Sequence, residues 1–375
     1  MSAVLAAQST RDALLTTDLA AVAENTRRFA DLVGGGAVMA VVKADGFGHG
    51  AAEVARTALA AGAGALGVTT LAEAVALRAA GIDAPVLSWL NPVDVDVATA
   101  CALGIELTAP SLAHLSVIAD GCAGTGRRAR VHLQLDTGMA RDGAPPRTWS
   151  ALAAAARAAE VAGLVDVVGV MGHLATADEP GHPATAAGLA AMRRGVAVAR
   201  RAGLRPRARH VAATSAALHE PESHLDMVRV GAGLIGIDPS GRTRLRGALR
   251  LTAPVVQVRR VPSGTGVGYG HTHATDRETT LALLPLGYYD GLPRAASGRA
   301  EVLLAGRRRR VVGVISMDQA VVDVGDDAVW PGEVATVFGP GDDGEPTAGD
   351  WADWAGTIPH EIVTGVGPRV RRCAR

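Results

Sequence analysis

The chain carries 37 basic residues, and only one of them, Lys43, is lysine. Arginine stays protonated at any working pH and cannot act as an amine nucleophile, whereas a desolvated lysine forms a Schiff base with an aldehyde. A sequence that uses arginine wherever diffuse positive charge suffices keeps its one lysine where guanidinium cannot substitute, so Lys43 is the candidate nucleophile. Other polar side chains with acid–base or anion-binding capacity follow at intervals: Asp136, Arg141, His173, Ser215 and Arg229. Asp136 in Asp136-Thr137-Gly138 also reads as turn chemistry.

These residues fall at regular places in a repeating pattern. Runs rich in Val, Ile and Leu at 38–42, 65–69, 85–89, 105–108, 130–135, 166–171, 208–212 and 227–230 predict eight strands. Ala-rich segments at 50–62, 71–80, 93–103, 111–120, 147–162 and 184–203, with charges three or four apart, predict helices between them. Repeated alternation implies parallel pairing, and eight units suggest an α/β fold closed as a (β/α)₈ TIM-like barrel over residues 12–245. Active sites of such barrels gather at the C-terminal ends of the strands. Lys43 follows the first strand, Asp136 and Arg141 the fifth, His173 the sixth, Ser215 the seventh, and Arg229 with Gly231 the eighth. The last two loops commonly bind phosphate through backbone N–H groups and a hydroxyl, and Ser215, Gly231 and Ala232 supply those parts.

Beyond about residue 245, β runs at 254–261, 279–285, 300–304, 309–315, 319–324 and 333–338 are divided by Gly, Pro and Asp turns. They predict a mostly-β C-terminal domain over 246–375, joined by a strand from within 1–18. Acidic and basic residues balance at 37 each, which argues against nucleic acid or an anionic membrane as partner. The Arg307 to Arg310 run reads as a solvated hairpin tip. No window of about 18 uncharged apolar residues occurs, and no export signal precedes the first strand, so a cytoplasmic enzyme is expected. Cys101, Cys122 and Cys373 have neither metal-type nor disulfide-framework spacing and read as ordinary thiols, and no metal site is expected.

Seven segments then resemble motifs of the alanine racemase family, in order along both domains. They are Ala40-Val41-Val42-Lys43-Ala44-Asp45-Gly46-Phe47-Gly48-His49-Gly50, Leu135-Asp136-Thr137-Gly138-Met139-Ala140-Arg141 and Gly172-His173-Leu174-Ala175-Thr176-Ala177-Asp178, followed by Val228-Arg229-Val230-Gly231, Gly268-Tyr269-Gly270, Gly287-Tyr288-Tyr289-Asp290-Gly291 and Ser316-Met317-Asp318. The resemblance implies a pyridoxal 5'-phosphate (PLP) enzyme, an isomerase interconverting L- and D-alanine for D-alanine biosynthesis. It implies a homodimer with shared active sites, in which Lys43 holds the cofactor and acts as one base while Tyr269 of the partner subunit acts as the other. His173 and Arg229 match the family's link from that tyrosine to the pyridine nitrogen. Arg141 and the Met317 backbone N–H match its contacts to the substrate carboxylate, and Ser215, Gly231 and Ala232 match its phosphate cup. Tyr288 and Asp318 match the rim of the substrate entrance.

Three positions depart from the family pattern. Phe47 and His360 stand where tyrosines normally reach the cofactor phosphate, and Gln134 stands where a lysine often orients the substrate-binding arginine. Gln134 is expected to present its amide oxygen to Arg141 instead, and His360 to bind the phosphate with a strength that depends on pH. Racemisation of another small amino acid such as serine, a barrel-type PLP amino-acid decarboxylase, and a non-enzymatic PLP carrier are the alternatives.

Overall fold

The structure, a computed structural model, describes residues 12–34, 37–123 and 125–375. The chain divides into two compact units. One comprises Val22–Gly46 and Ala51–Leu245; the described part of the other comprises residues 12–21, Phe47–Gly50 and Arg246–Arg375. Strand β1 (Leu14–Thr17) and the turn Phe47–Gly50 group with the C-terminal part. Residues 1–11 of the expected N-terminal strand segment lie outside the described residues.

The first unit holds eight parallel strands. They are β2 (Ala37–Val41), β3 (Ala65–Val68), β4 (Val86–Ser88), β5 (Ile105–Ala109), β6 (Ala129–Gln134), β7 (Val165–Met171), β8 (Ala208–His210) and β9 (Met227–Val230), in the order β8-β7-β6-β5-β4-β3-β2-β9. The gap between the two end strands is bridged by Asp226 N–H to Arg209 O at 3.1 Å and Arg229 N–H to Ala212 O at 3.0 Å. Every residue of β3, β4 and β5 is buried, as expected for strands covered on both faces. Met39, Ala65, Leu87 and Met171 form one cluster of this core, with Trp89 and Met227 packed against it. Helices join the strands, and two of them, Leu19–Leu32 and Thr214–His219, were not among the expected six. The helix Leu71–Ala79 starts with a capping box between Thr70 and Glu73.

The second unit contains β10 (Leu249–Pro254), β11 (Gln257–Val261), β12 (Gly266–Val267), β13 (His273–Ala274), β14 (Thr279–Leu284), β15 (Glu301–Leu304), β16 (Arg307–Val312), β17 (Ala320–Gly325), β18 (Val334–Phe338) and β19 (Arg371–Ala374). Nine strands form one sheet in the order β11-β14-β17-β16-β15-β18-β10-β1-β19, and β12 pairs with β13 separately. β1 lies between β10, antiparallel, and β19, parallel. Alternating burial along β17 shows one face of the sheet on a core. Two helices, Ala348–Ala355 and Pro359–Thr364, interrupt the β character. Arg307–Arg310 is not the hairpin tip: the turn is Ala305–Gly306, with both residues at positive φ, and the arginines form β16 itself. There they find partners, Arg309 pairing with Asp327 and Arg308 with Asp350. Among the described residues no helix is long and apolar enough to cross a membrane.

Candidate active site

Lys43 opens the segment after β2, and the backbone beyond it is unusual. Ala44, Asp45, Gly46, Phe47 and Gly48 all have positive φ, at 50, 54, 62, 58 and 80°. That is a left-handed helical turn, which costs roughly 1–2 kcal/mol for each L-residue placed in it. Hydrogen bonds hold it: Ala44 N–H to Glu73 Oε1 at 2.8 Å, Gly46 N–H to Val42 O at 2.9 Å, and Ala51 N–H to Asp45 Oδ1 at 2.9 Å. Backbone strain of this kind persists where surrounding structure fixes a functional geometry. Burial pushes the Lys43 ammonium below its ordinary range, and the Arg141 charge adds to the shift while Glu73 opposes it. The result is an amine more available as a nucleophile and base.

Arg229, on β9, is fully buried, and burial lowers it to about 10, so it remains a cation and a pure donor at neutral pH. Its Nη2 donates to Gly172 O at 2.8 Å and to His173 Nδ1 at 3.1 Å, and its Nη1 to His210 Nδ1 at 3.1 Å. His173 is held down to about 3, first by burial and then by the charges of Arg229, Arg141 and Lys43. It is therefore neutral, accepts at Nδ1 and carries its proton on Nε2. Lys43, Arg141, His173 and Arg229 thus form one electrostatically connected group in the barrel.

Ser215 is buried in the helix after β8, and its Oγ donates to Asp238 Oδ1 at 3.3 Å. Gly231 and Ala232 lead into the short 3₁₀ helix Ala232–Ile235 after β9. Asp136 receives the Gly138, Met139 and Ala140 N–H groups on Oδ1, so it shapes the turn that leads to Arg141. The expected contact from Gln134 to Arg141 is not made. Gln134 Oε1 is buried with no hydrogen-bond partner among the described residues, because the side chain, shorter than a lysine, ends within the barrel core.

The remaining predicted residues lie in the second unit. Tyr269 stands at the tip between β12 and β13, flanked by Gly268 and Gly270 at φ near +70°, and is 73% exposed. Tyr288 and Met317 are drawn together by Tyr288 N–H to Ser316 O at 3.0 Å and Tyr289 N–H to Met317 O at 3.1 Å. Asp318 accepts from Arg369 Nη1 at 2.8 Å, while the same guanidinium binds Asp290 through Nε and Nη2, both at 2.8 Å. Phe47 and His360 are neighbours, with ring centroids 6.1 Å apart, so the two departures from the family pattern share one place.

Three comparisons bear on this arrangement. Residues 17–239 match the family pattern described as "Alanine racemase, N-terminal domain", and residues 248–374 match "Alanine racemase, C-terminal domain". The chain belongs to the alanine racemase family. It is 50% identical to the alanine racemase of Thermobifida fusca over 358 residues, covering 95% of this chain and 96% of that protein. It is 48% identical to that of Frankia casuarinae over 361 residues, covering 95% of this chain and 94% of that one. Among solved structures, alanine racemase from Streptomyces coelicolor superposes with a TM-score of 0.96 at 44% identity, covering 98% of this chain and 99% of that one. Alanine racemase from Bartonella henselae, solved with covalently bound pyridoxal phosphate, gives 0.88 at 27% identity, covering 97% and 99%.

Family resemblance and residue chemistry together still missed three polar groups joined to this site. His210 meets Arg229, His132 meets His210, and Glu106 meets His132, all buried in the barrel. A signal existed: Glu106 and His132 are ionisable residues inside apolar strand runs, where burial without a partner is costly. Arg369, which ties Asp318 to Asp290, was also passed over because nothing local marks it.

Proposed function

We infer that the chain is a PLP-dependent alanine racemase, an isomerase of a small amino acid. The observation that carries this is the group in the barrel, where the only lysine is half-buried with a pKa lowered by burial and by the Arg141 charge, and a donor-only Arg229 is hydrogen-bonded to a neutral His173. These residues fit the cofactor. An amine whose pKa is lowered suits its aldehyde, Arg229 can face the lone pair of a ring nitrogen, and Ser215, Gly231 and Ala232 offer a hydroxyl and backbone N–H groups to a phosphate once Ser215 turns from Asp238. The relatives and structures above are alanine racemases, which disfavours the serine, decarboxylase and carrier alternatives.

When bound, PLP withdraws electrons from the substrate α-carbon and acidifies its C–H bond. The chain's own residues then divide the work. Lys43 Nζ holds the cofactor and takes or returns the α-proton on one face. The partner's Tyr269 does the same through Oη on the other face, which requires a homodimer; the exposure of Tyr269 on a hairpin tip supports that role. His173, with its proton on Nε2, would donate to that phenol, as the family pattern implies. Arg141 and the Met317 N–H bind the substrate carboxylate, with Tyr288 and Asp318 at the entrance. His360 and Ser215, Gly231 and Ala232 bind the phosphate. We take residues 12–245 as the cofactor-binding half and 246–375, joined by a strand from within 1–18, as the other, and the cytoplasm as the place of action.

Purified protein is incubated with single enantiomers of alanine, serine and other small amino acids, and loss of optical rotation is followed. Rapid loss with alanine supports the reading. No loss with any amino acid, or CO₂ release instead, overturns it.

A further inference from the structure

Behind Arg229 a chain of buried side chains crosses the barrel. Arg229 Nη1 donates to His210 Nδ1 at 3.1 Å, His210 Nε2 lies 2.9 Å from His132 Nδ1, and His132 Nε2 lies 2.7 Å from Glu106 Oε2. Glu106 Oε1 meets Arg130 Nη2 at 2.7 Å, and that arginine is half-exposed. The direction of every proton follows from the two ends. A guanidinium only donates, so His210 accepts at Nδ1 and has its proton on Nε2. That proton goes to His132 Nδ1, and the His132 proton on Nε2 goes to the acceptor-only carboxylate. Were His132 doubly protonated, its Nδ1–H would need His210 Nε2 as acceptor, and His210 would be left without any proton. Both imidazoles are therefore neutral and in one tautomer.

The fold makes specific room for this chain. The β6–β7 register shifts between Val131 and His132, so that His132 faces Gly169. A Cβ on Gly169 would lie 2.1 Å from His132 Nδ1, so only glycine admits the ring at this register. Burial raises the Glu106 carboxyl, but the hydrogen bond from His132 and the charges about it, Arg130 and Arg207 among them, outweigh this and hold it below the usual range. The anion is thus present at neutral pH.

We propose that Glu106 is a positioning residue for Arg229, acting through His132 and His210 as a one-directional hydrogen-bond chain that fixes the guanidinium and supplies its distant counter-charge. Without the anion, the His132 N–H meets at best a neutral acceptor, and the chain no longer ends on the charge that fixes its one proton arrangement. The electronic effect of Arg229 on the group it faces then changes. This rests on the reading of Arg229 as facing the cofactor.

The test has a part that does not depend on activity. In ¹⁵N-histidine-labelled holoenzyme at pH 7, assigned with single-histidine variants, His132 and His210 should each show one proton, on Nε2. An imidazolium or an Nδ1–H tautomer at either position overturns the proposal, while leaving the cofactor reading to be judged by its own borohydride test. In Glu106→Gln, kcat should fall by up to about tenfold, the scale of one lost hydrogen bond to a charged group, passed to Arg229 through two imidazoles. KM should stay within about threefold, the absorbance maximum of the bound cofactor should move, and Glu106→Asp should restore part of the loss. Wild-type kcat and spectrum overturn the proposal; so does lowered cofactor content with an unmoved band, the mark of a merely structural role. Should the glutamine variant not fold, Arg130→Gln reads the same chain from its outer end. There a fall of about two- to fivefold in kcat is expected, the scale of a partly exposed ion pair, and no change overturns the proposal.

Discussion

Arg229 Nη2 donates to His173 Nδ1 across 3.1 Å, and that bond fixes where the imidazole proton sits. A cation at hydrogen-bond distance excludes a second positive charge on His173, so its proton remains on Nε2. The sequence places the two residues 56 positions apart, and only the barrel makes them neighbours.

The same bond gives a pH dependence of stability. His173 is near 3 in the folded chain, by burial first and then Arg229, against about 6.5 when unfolded. As pH falls below 6.5 the unfolded chain takes up the proton first, so stability is lost progressively between about 6.5 and 3. At pH 5 His173 alone should have removed about 2 kcal/mol relative to pH 7, and buried His210 shifts in the same direction. Urea midpoints measured at pH 5, 6 and 7 check this; a flat profile would mean that His173 takes up its proton in the fold as readily as in the unfolded chain.

Lys43→Arg keeps the charge and removes the nucleophilic amine. We expect folded protein that gives no borohydride-reducible bond to the cofactor, read by mass spectrometry. A reducible adduct in this variant is incompatible with Lys43 as the holder, since the chain has no second lysine.

Tyr269→Phe should retain bound cofactor and lose racemisation by about 10² to 10⁴, the usual contribution of one acid–base group. Mixing it with Lys43→Ala chains tests the dimer. If the partner's Tyr269 completes the site, mixed dimers contain one site with both wild-type residues and regain activity. Verified subunit exchange without recovery would place both bases in one chain.

Phe47 and His360, 6.1 Å apart, offer one ring without a hydroxyl and one that titrates. A hydrogen bond to a charged group contributes about 1.5–3 kcal/mol, so Phe47→Tyr should tighten PLP roughly ten- to a hundredfold. His360→Tyr should flatten the decline of affinity with rising pH that a protonated histidine imposes. Cofactor titrations from pH 6 to 9 read both. Unchanged affinity in the first variant, with an equally steep profile in the second, would show that neither residue reaches the phosphate.

By itself the sequence determined the architecture and pointed to one candidate nucleophile. A single lysine among arginines is visible in composition, and eight apolar runs alternating with helical segments specify a parallel barrel, since both signals are local and periodic. The motifs also marked His173, Arg229 and Tyr269 as candidates. Tertiary structure alone decided how these groups are charged and held. The left-handed turn after Lys43 includes Ala44, Asp45 and Phe47, residue types that do not announce positive φ. The Gln134 amide oxygen, assigned to Arg141 from its chemistry, ends unpartnered in the core because reach is set by backbone position. The Glu106–His132–His210–Arg229 chain draws on β5, β6, β8 and β9, joined by a register shift opposite Gly169. Such contacts depend on which side chains point into the barrel at the same height. That is fixed by register and closure, which no local pattern encodes.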